Sequence, residues 1–140
     1  MIGLKRWLCA AASVALWTGA AAHAADAPAC PEGTERFAEY RLFFGRSMGG
    51  EEVVSDVDWR QFLAREVTPR FPDGLTVLDG AGQWRNAAGK IERERSKLLV
   101  VVAPPGAASM GRTAEIAAAY KQRFGQESVL RVISPVCGSF

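Results

Sequence analysis

Apolar and polar side chains alternate through residues 35–44, ERFAEYRLFF, which is the pattern of a β-strand with one buried face. Two further strands are predicted over residues 74–84 and 91–103, and the Asn-Ala-Ala-Gly sequence between them is typical of a hairpin turn. The strand at 91–103 contains the apolar run LLVVV, so we expect it in the centre of the sheet. A fourth strand is predicted over residues 128–133, and we expect Pro135 to end it.

Two other segments repeat their apolar residues at helical spacing. The first helix is predicted to begin at Ser55, which forms a variant of the capping box with Asp58, and to end at Pro69. The second is predicted over residues 109–124. It should stop at Gly125, because glycine accepts the left-handed conformation that often follows a helix.

The predicted order of elements is therefore β-α-β-β-α-β. This order indicates an α+β, ferredoxin-like fold with a split β-α-β arrangement. In that fold the four strands form an antiparallel sheet in the order 4-1-3-2, and both helices cover the same face of the sheet. The other face is left without helices.

The first 24 residues have the features of a secretory signal: a basic start, an apolar run, and Ala-His-Ala at the end. The apolar run is shorter than the roughly 20 residues that span a bilayer, so a retained membrane anchor is the weaker alternative. We expect cleavage after Ala24 and export to the periplasm or the medium. Residues 25–34 should then be a loosely ordered lead-in, and residues 35–140 a single domain.

Two cysteines remain in the mature chain, Cys30 and Cys137. An exported chain with two distant cysteines indicates a disulfide bond. The predicted topology agrees, because it places the start of the first strand beside the end of the fourth. Lipid attachment at Cys30 is the alternative, although the preceding Ala27-Pro28-Ala29 lacks the large aliphatic residue usual in such a site.

Charge and histidine content exclude several classes of function. The chain has 17 basic and 15 acidic side chains, and loss of Lys5 and Arg6 with the signal leaves 15 of each. This balance argues against nucleic-acid binding. His23, the single histidine, also leaves, which excludes Ser-His-Asp and Cys-His catalysis and histidine metal sites. We therefore assign no catalytic residue, metal ligand or cofactor.

Residues 67–84, VTPRFPDGLTVLDGAGQW, are the segment richest in special residues. Turn chemistry explains its Pro, Gly and Asp residues, so one interpretation is a demanding turn and nothing more. It leaves the Arg, Gln and Trp side chains unexplained. The alternative is a binding site for a small anionic ligand, in which Arg70 and Trp84 converge on Glu94. The candidate site residues are Arg70, Asp73, Gln83, Trp84 and Glu94.

The helix-free face of the predicted sheet should be largely apolar. Apolar area of this extent is rarely left exposed on a monomer. We therefore expect a homodimer by face-to-face packing, with a protein partner or ligand as the alternative. On the expected strand phase the face carries Phe37, Arg41 and Phe43, then Val129, Arg131 and Ile133, with Leu99 and Val101 or their neighbours.

Several blocks of residues occur in an order typical of one bacterial family. They are Phe44-Gly45-Arg46-Ser47, the segment 67–84, Arg93-Glu94-Arg95-Ser96-Lys97, Tyr120, residues 124–131 (FGQESVLR), and Cys137. With these blocks the chain resembles an uncharacterised family, domain of unknown function 3574, over nearly all of the mature sequence. The resemblance implies an exported or lipid-anchored bacterial protein and supplies no activity.

Two hypotheses for the function follow from the sequence. The leading one is a non-catalytic binding or interaction module, because the mature chain is neutral, lacks histidine and is closed by a disulfide. The alternative is a cofactor-independent enzyme of the dimeric α/β-barrel type, with a pocket formed by Arg70, Asp73, Glu94 and Trp84. The alternative depends on analogy at the level of the fold.

Overall fold

The computed structural model describes residues 29–140. The predicted signal at residues 1–24 lies outside this range. The elements, in chain order, are β1 (Glu35–Gly45), β2 (Ser47–Met48), β3 (Glu51–Glu52), α1 (Asp56–Phe62), a π-helical turn (Leu63–Val67), β4 (Thr76–Arg85), β5 (Ile91–Ala103), α2 (Ala107–Phe124) and β6 (Leu130–Gly138).

Four strands form one antiparallel sheet in the order β4-β5-β1-β6, and β2 pairs with β3 in a small separate hairpin. Numbering only the four long strands, this is the order 4-1-3-2, so the ferredoxin-like α+β prediction is confirmed. None of the helices described is long and apolar enough to cross a membrane.

The core lies between the sheet and the two helices. Alternate residues of β1, from Ala38 to Phe44, are buried and pack against apolar residues of α1 and α2. Aromatic rings dominate one end of this layer. Tyr120 lies 4.7 Å from Phe44 and 5.0 Å from Phe62, measured between ring centroids, with Trp59 beside them. Edge-on aromatic pairs of this kind add to the stabilisation from burial.

The helix boundaries agree closely with the sequence pattern. Ser55 caps α1, with the reciprocal Ser55–Asp58 bonds of a capping box. The helix then widens into the π turn, in which Thr68 N donates to Leu63 O, and it ends just before Pro69. At the end of α2, Gly125 takes the left-handed conformation with φ 67°.

Cys30 and Cys137 form a disulfide bond with their Cα atoms 5.6 Å apart, as the topology predicted. The bridge lies next to the pairing of β1 with β6, where Arg36 is opposite Cys137. It therefore links the two ends of the domain at an edge of the sheet.

Pro135 does not end the last strand, and this prediction was wrong. β6 continues to Gly138, with Pro135 opposite Ala38 of β1. The physical reason is the position of β6 at the edge of the sheet. An edge strand has one side without a neighbour, so proline, which has no N–H, can be placed there without removing a bond to another strand.

The predicted phase of β6 was also wrong, by one residue. Ile133 lies opposite the buried Tyr40, and Arg131 donates to Met110 O at 3.4 Å and Thr113 Oγ1 at 3.2 Å, so both lie on the helix side. Val129 packs against the core. The helix-free side, called the open face below, instead carries residues 130, 132, 134 and 136 of β6.

The open face in β1 and β5 agrees better with the prediction. Phe37, Arg41 and Phe43 lie on it by alternation with the buried positions of β1. In β5, Leu99 and Val101 are buried toward the helices, so their neighbours Leu98, Val100 and Val102 face the open side.

Candidate functional site

The hairpin of β4 and β5 extends beyond the rest of the sheet. Pairing of β1 with β5 ends at Gly45 opposite Ser96, whereas β4 and β5 remain paired as far as Arg85 opposite Ile91. We call residues 81–95 the hairpin arm. Five residues of β5 project beyond β1, which is about 17 Å at the usual rise of a strand.

A cavity of about 230 Å³ lies where the hairpin arm leaves the sheet. No residue of α1 or α2 lines it, so it belongs to the open face. The lining is Phe43, Gly45, Gly82, Gln83, Trp84, Glu94, Ser96, Gln126, Ser128 and Leu130. We call this the Trp84–Glu94 cavity.

The carboxylate of Glu94 is held in place by backbone. Ser47 N donates to Oε2 at 3.0 Å. The carboxylate also lies directly over Gly45, so close that a Cβ at that position would overlap it. Glycine is therefore required at position 45 for this placement. The second oxygen, Oε1, has no hydrogen-bond partner among residues 29–140 and is free to accept a bond from a ligand.

Trp84 lies on the same face of the hairpin arm as Glu94. Directly opposed residues of an antiparallel pair share a face, and Trp84 is opposite Glu92 while Gly82 is opposite Glu94. The indole is half-buried. Because Gly82 has no side chain, the space beside Glu94 stays open.

The segment after α2 forms the opposite wall. Gln126 is buried, and its Nε2 donates to Ser47 O at 3.2 Å. Gln126 thus fixes Ser47, the residue whose N–H donates to Glu94. A smaller cavity of about 40 Å³ lies next to the first and shares Trp84, Glu94 and Gln126 with it.

Tyr120 supports the floor of the site. Its hydroxyl donates to Gly45 O at 2.7 Å. Burial raises the pKa of Tyr120 well above its usual value; the nearby charge of Arg46 acts against this shift, and the smaller effect of the Glu94 charge adds to it. The tyrosine is therefore neutral over the whole range of ordinary pH, and it remains a donor to the backbone under Glu94.

A buried arginine holds the β2–β3 hairpin that presents Ser47. Arg46 is 1 % exposed; its Nε donates to Val54 O at 2.8 Å, and it pairs with Glu52 and Asp56 at 2.9 Å each. Buried charges require such partners. In the sequence, Arg46 stood out only as part of the Phe44-Gly45-Arg46-Ser47 block, and no local pattern showed that it would be buried.

Lys97 extends the same network on the helix side of the sheet. Its ammonium group pairs with Asp79 and, at 3.4 Å, with Asp56. The hydrogen bond from Lys97, followed by the charge of Arg46, lowers the pKa of Asp56. Both buried cations are therefore neutralised away from the Trp84–Glu94 cavity.

The structure brings together three of the five candidate residues. Gln83, Trp84 and Glu94 all line the cavity, although Gln83 alternates away from Trp84 and also borders a shallow depression with Arg93 and Arg95. Phe43, Gly45, Ser47 and Gln126 line or support the site but were not among the five candidate site residues predicted from the sequence. Ser47 and Gln126 act through contacts that span 47 and 79 positions of the chain, for which no local pattern exists.

Arg70 and Asp73 do not join the other three. They line a different cavity, also of about 230 Å³, with residues 101–104 at the opposite end of β5. The predicted convergence of Arg70 with Trp84 on Glu94 is absent, because β4 carries the chain about 27 Å from Thr76 to Trp84. The Arg70 guanidinium instead pairs with Glu66 at 3.0 Å and Glu115 at 3.1 Å.

The charge of the Trp84–Glu94 cavity is consequently negative. Glu94 is the one acidic side chain among its ten lining residues, and none of the ten is basic. This lining suits a ligand that donates hydrogen bonds or carries positive charge, rather than the anion expected from the sequence. No group of three or more potential metal-ligating side chains occurs within the part of the chain described.

Comparisons with known proteins agree on the fold. Two solved structures of phage SAM lyase are similar. One, in complex with S-methyl-5'-thioadenosine, has a TM-score of 0.60 and 16% identity, covering 74% of this chain and 90% of that chain. The other, in the apo state, has a TM-score of 0.58 and 15% identity, covering 81% and 96%. No curated protein matches this sequence.

The sequence comparison with protein families is more direct. The model of a family described as "Protein of unknown function (DUF3574)" matches residues 39–140, which include all four long strands in whole or in part and both helices. The resemblance inferred from the residue blocks is thereby confirmed. The chain belongs to the DUF3574 family of proteins of unknown function.

Proposed function

We propose that this chain is an exported, non-catalytic binding domain whose small-molecule ligand occupies the Trp84–Glu94 cavity. One observation carries the proposal: a carboxylate fixed by backbone, with Oε1 free, stands beside a half-buried indole in a cavity without basic residues. A binding site with a few placed polar groups and an otherwise apolar lining is the usual form of a small-molecule pocket.

The chemistry of the lining defines the class of ligand. The Trp84 indole offers a flat apolar surface on which a planar ring can stack, and Phe43 and Leu130 extend that surface. Glu94 accepts hydrogen bonds from hydroxyl or amino groups, or attracts a cation. The ligand is therefore a molecule with a planar ring system that also carries hydrogen-bond donors or a positive charge, such as a nucleoside.

Export is supported by the disulfide. A bridge between Cys30 and Cys137 persists in oxidising compartments, such as the periplasm or the exterior of the cell. We propose cleavage after Ala24, which leaves residues 25–34 ahead of one domain at 35–140. The intact mass of the unreduced exported protein tests this. A mass that includes residues 1–24, or a lipid on Cys30, would contradict it.

The second candidate is an enzyme without a cofactor, in which Glu94 acts as a general base. The free Oε1 of Glu94 favours this candidate, since a base must reach the proton that it removes. The fold is compatible with it, because the similar phage SAM lyase is an enzyme and one of its structures holds S-methyl-5'-thioadenosine.

The test uses three probes: S-methyl-5'-thioadenosine, adenosine and S-adenosylmethionine. Isothermal titration should show binding of at least one of them to residues 25–140. Glu94→Gln should weaken that binding about tenfold or more, since hydrogen bonds to a charged group are worth about 1.5–3 kcal/mol. Trp84→Phe should remove the ligand-dependent change in tryptophan fluorescence, because the remaining Trp59 is buried in the core.

Arg70→Gln is the matched control. It changes one polar side chain at the opposite end of β5 and should leave the affinity unaltered. Failure of all three probes to bind, or equal binding by Glu94→Gln, would refute the assignment of the cavity. Chromatography of the probes after incubation separates the two candidates, because conversion of a probe that Glu94→Gln abolishes would establish the enzyme.

A further inference from the structure

The open face of the sheet is largely apolar, and no element within residues 29–140 covers it. Both helices lie on the other side, so among the described residues no helix packs on the side chains of the open face. Several are large and well exposed: Leu130 is 59 % exposed, Leu78 50 % and Val102 41 %. An apolar surface of this kind on a folded domain marks a site of association.

The Trp84–Glu94 cavity is part of this same surface. Phe43 and Leu130 are directly opposed residues of β1 and β6, lie on the open face, and also line the cavity. Trp84 and Glu94 extend the face along the hairpin arm. The cavity volume of about 230 Å³ is below the roughly 300 Å³ at which ligand pockets usually begin. Within residues 29–140, no helix contributes a wall to it.

We infer that a second copy of this chain packs on the open face and completes the Trp84–Glu94 cavity. The inference depends on the proposed function and adds the partner that closes the site. In a two-fold interface the same patch occurs on both sides, so the patch must be complementary to itself. One dimer then contains two equivalent ligand sites, each with a wall from the other subunit.

Charge at the centre of the open face favours a second copy as the occupant. Glu39 and Arg41 stand on β1 and pair with each other, with Arg41 Nε 2.8 Å from Glu39 Oε1. The other contact of the guanidinium is a long one, from Nη2 to Ser134 Oγ at 3.5 Å. The open face therefore holds a hydrogen-bond acceptor, Glu39, and a cation with unused donors, Arg41. A two-fold axis near β1 would bring each Arg41 to the Glu39 of the second copy, so two such faces are complementary in charge.

The consequence is a thermodynamic link between binding and assembly. A ligand that touches both subunits must raise the association constant of the dimer. By linkage, the affinity of the dimer for the ligand must exceed that of the monomer by the same factor. A side chain on the open face that never touches the ligand should therefore change the ligand affinity.

Val102 permits this test. It lies on the open face opposite Glu39 and is absent from the lining of the Trp84–Glu94 cavity. Val102→Lys places a charge in the interface, while Glu39 gives the new ammonium group a partner within its own chain, so the fold should persist. Val57→Lys is the matched control, since Val57 is 52 % exposed on α1, away from the open face.

Sedimentation velocity and titration with S-methyl-5'-thioadenosine are measured on the same samples of residues 25–140. We expect a dimer for the unmodified chain and for Val57→Lys, strengthened by the probe. We expect a monomer for Val102→Lys, with affinity for the probe reduced tenfold or more. An unmodified chain that stays monomeric at 100 µM with the probe present would overturn the inference.

Two other results distinguish this inference from the proposed function. Unchanged probe affinity in a monomeric Val102→Lys would show that one chain holds a complete site, which overturns the inference and leaves the proposed function standing. A dimer that binds none of the probes would refute the proposed function and, with it, the link between binding and assembly.

Discussion

Removal of the disulfide should lower the stability of the domain by several kilocalories per mole. Cys30 and Cys137 are separated by 107 positions, so the bridge restricts almost the whole chain when it unfolds. In the chain-entropy model a loop of about 100 residues corresponds to about 4.7 kcal/mol. Little native packing is lost in exchange, because Cys137 is exposed and the β1–β6 pairing beside it stays in place.

The expected change in melting temperature follows from the size of the domain. At about 2.1 cal/mol/K per residue, about 110 residues give an unfolding entropy near 0.23 kcal/mol/K, so the loss corresponds to about 20 °C. Circular dichroism melts of Cys30→Ser/Cys137→Ser and of the unmodified chain measure it directly. A reductant should bring the unmodified chain down to the variant and leave the variant unaffected.

A decrease of less than about 5 °C would refute the reasoning, since it would leave under a quarter of the entropic effect. That result would mean that the unfolded chain already keeps its ends close together without the bridge. A variant that fails to fold at all would exceed the entropic magnitude and would contradict the estimate in the other direction.

Three further changes have expected outcomes. Tyr40→Phe should raise the free energy of unfolding in urea by about 1 kcal/mol, because the Tyr40 hydroxyl is buried and has no hydrogen-bond partner among residues 29–140; a loss of stability would contradict this. The pKa of Asp56 is lowered, chiefly by its hydrogen bond with Lys97, so its contribution to stability is present above the ordinary pKa of 3.8 and is lost as the pH falls through the lower folded value. Urea melts between about pH 4 and pH 2 should therefore show a smaller decline for Asp56→Asn than for the unmodified chain. Gly125→Ala should destabilise the domain by about 1 kcal/mol, because Gly125 has the left-handed φ of 67°. Gly111→Ala, inside α2, should stabilise the domain by a similar amount. Equal effects of the two substitutions in thermal melts would contradict this account.

Most of the fold could be predicted from the sequence because each element has a local signal. Alternation marked β1, helical spacing and caps marked α1 and α2, and the Asn-Ala-Ala-Gly turn marked the β4–β5 hairpin. The strand order and the disulfide then supported each other. The end and phase of β6 could not be predicted in this way, since they depend on its place at the edge and on its register with β1.

The candidate site was predictable in part, for a geometric reason. Trp84 and Glu94 belong to the two strands of one hairpin, and a hairpin makes residues near each other in sequence near in space. Arg70 and Trp84 are close in sequence, yet the extended strand β4 separates them in space. Ser47 and Glu94 are farther apart in sequence, yet a hydrogen bond joins them. Residues that are close in sequence are also close in space when a turn lies between them. Residues at the two ends of one extended strand are far apart in space.

The bridge between Cys30 and Cys137 turns the described chain into a nearly closed covalent ring. The turn of the hairpin arm, at residues 87–89, is exposed, and proteases cut such turns preferentially. A single cut there would give two fragments, one with β1, α1 and β4 and the other with β5, α2 and β6. The fragments would stay joined by the bridge and by the pairing of β1 with both β5 and β6. A nicked molecule would thus run as one band without reductant and as two with it, and the domain would survive an attack that would separate the halves of an unbridged chain.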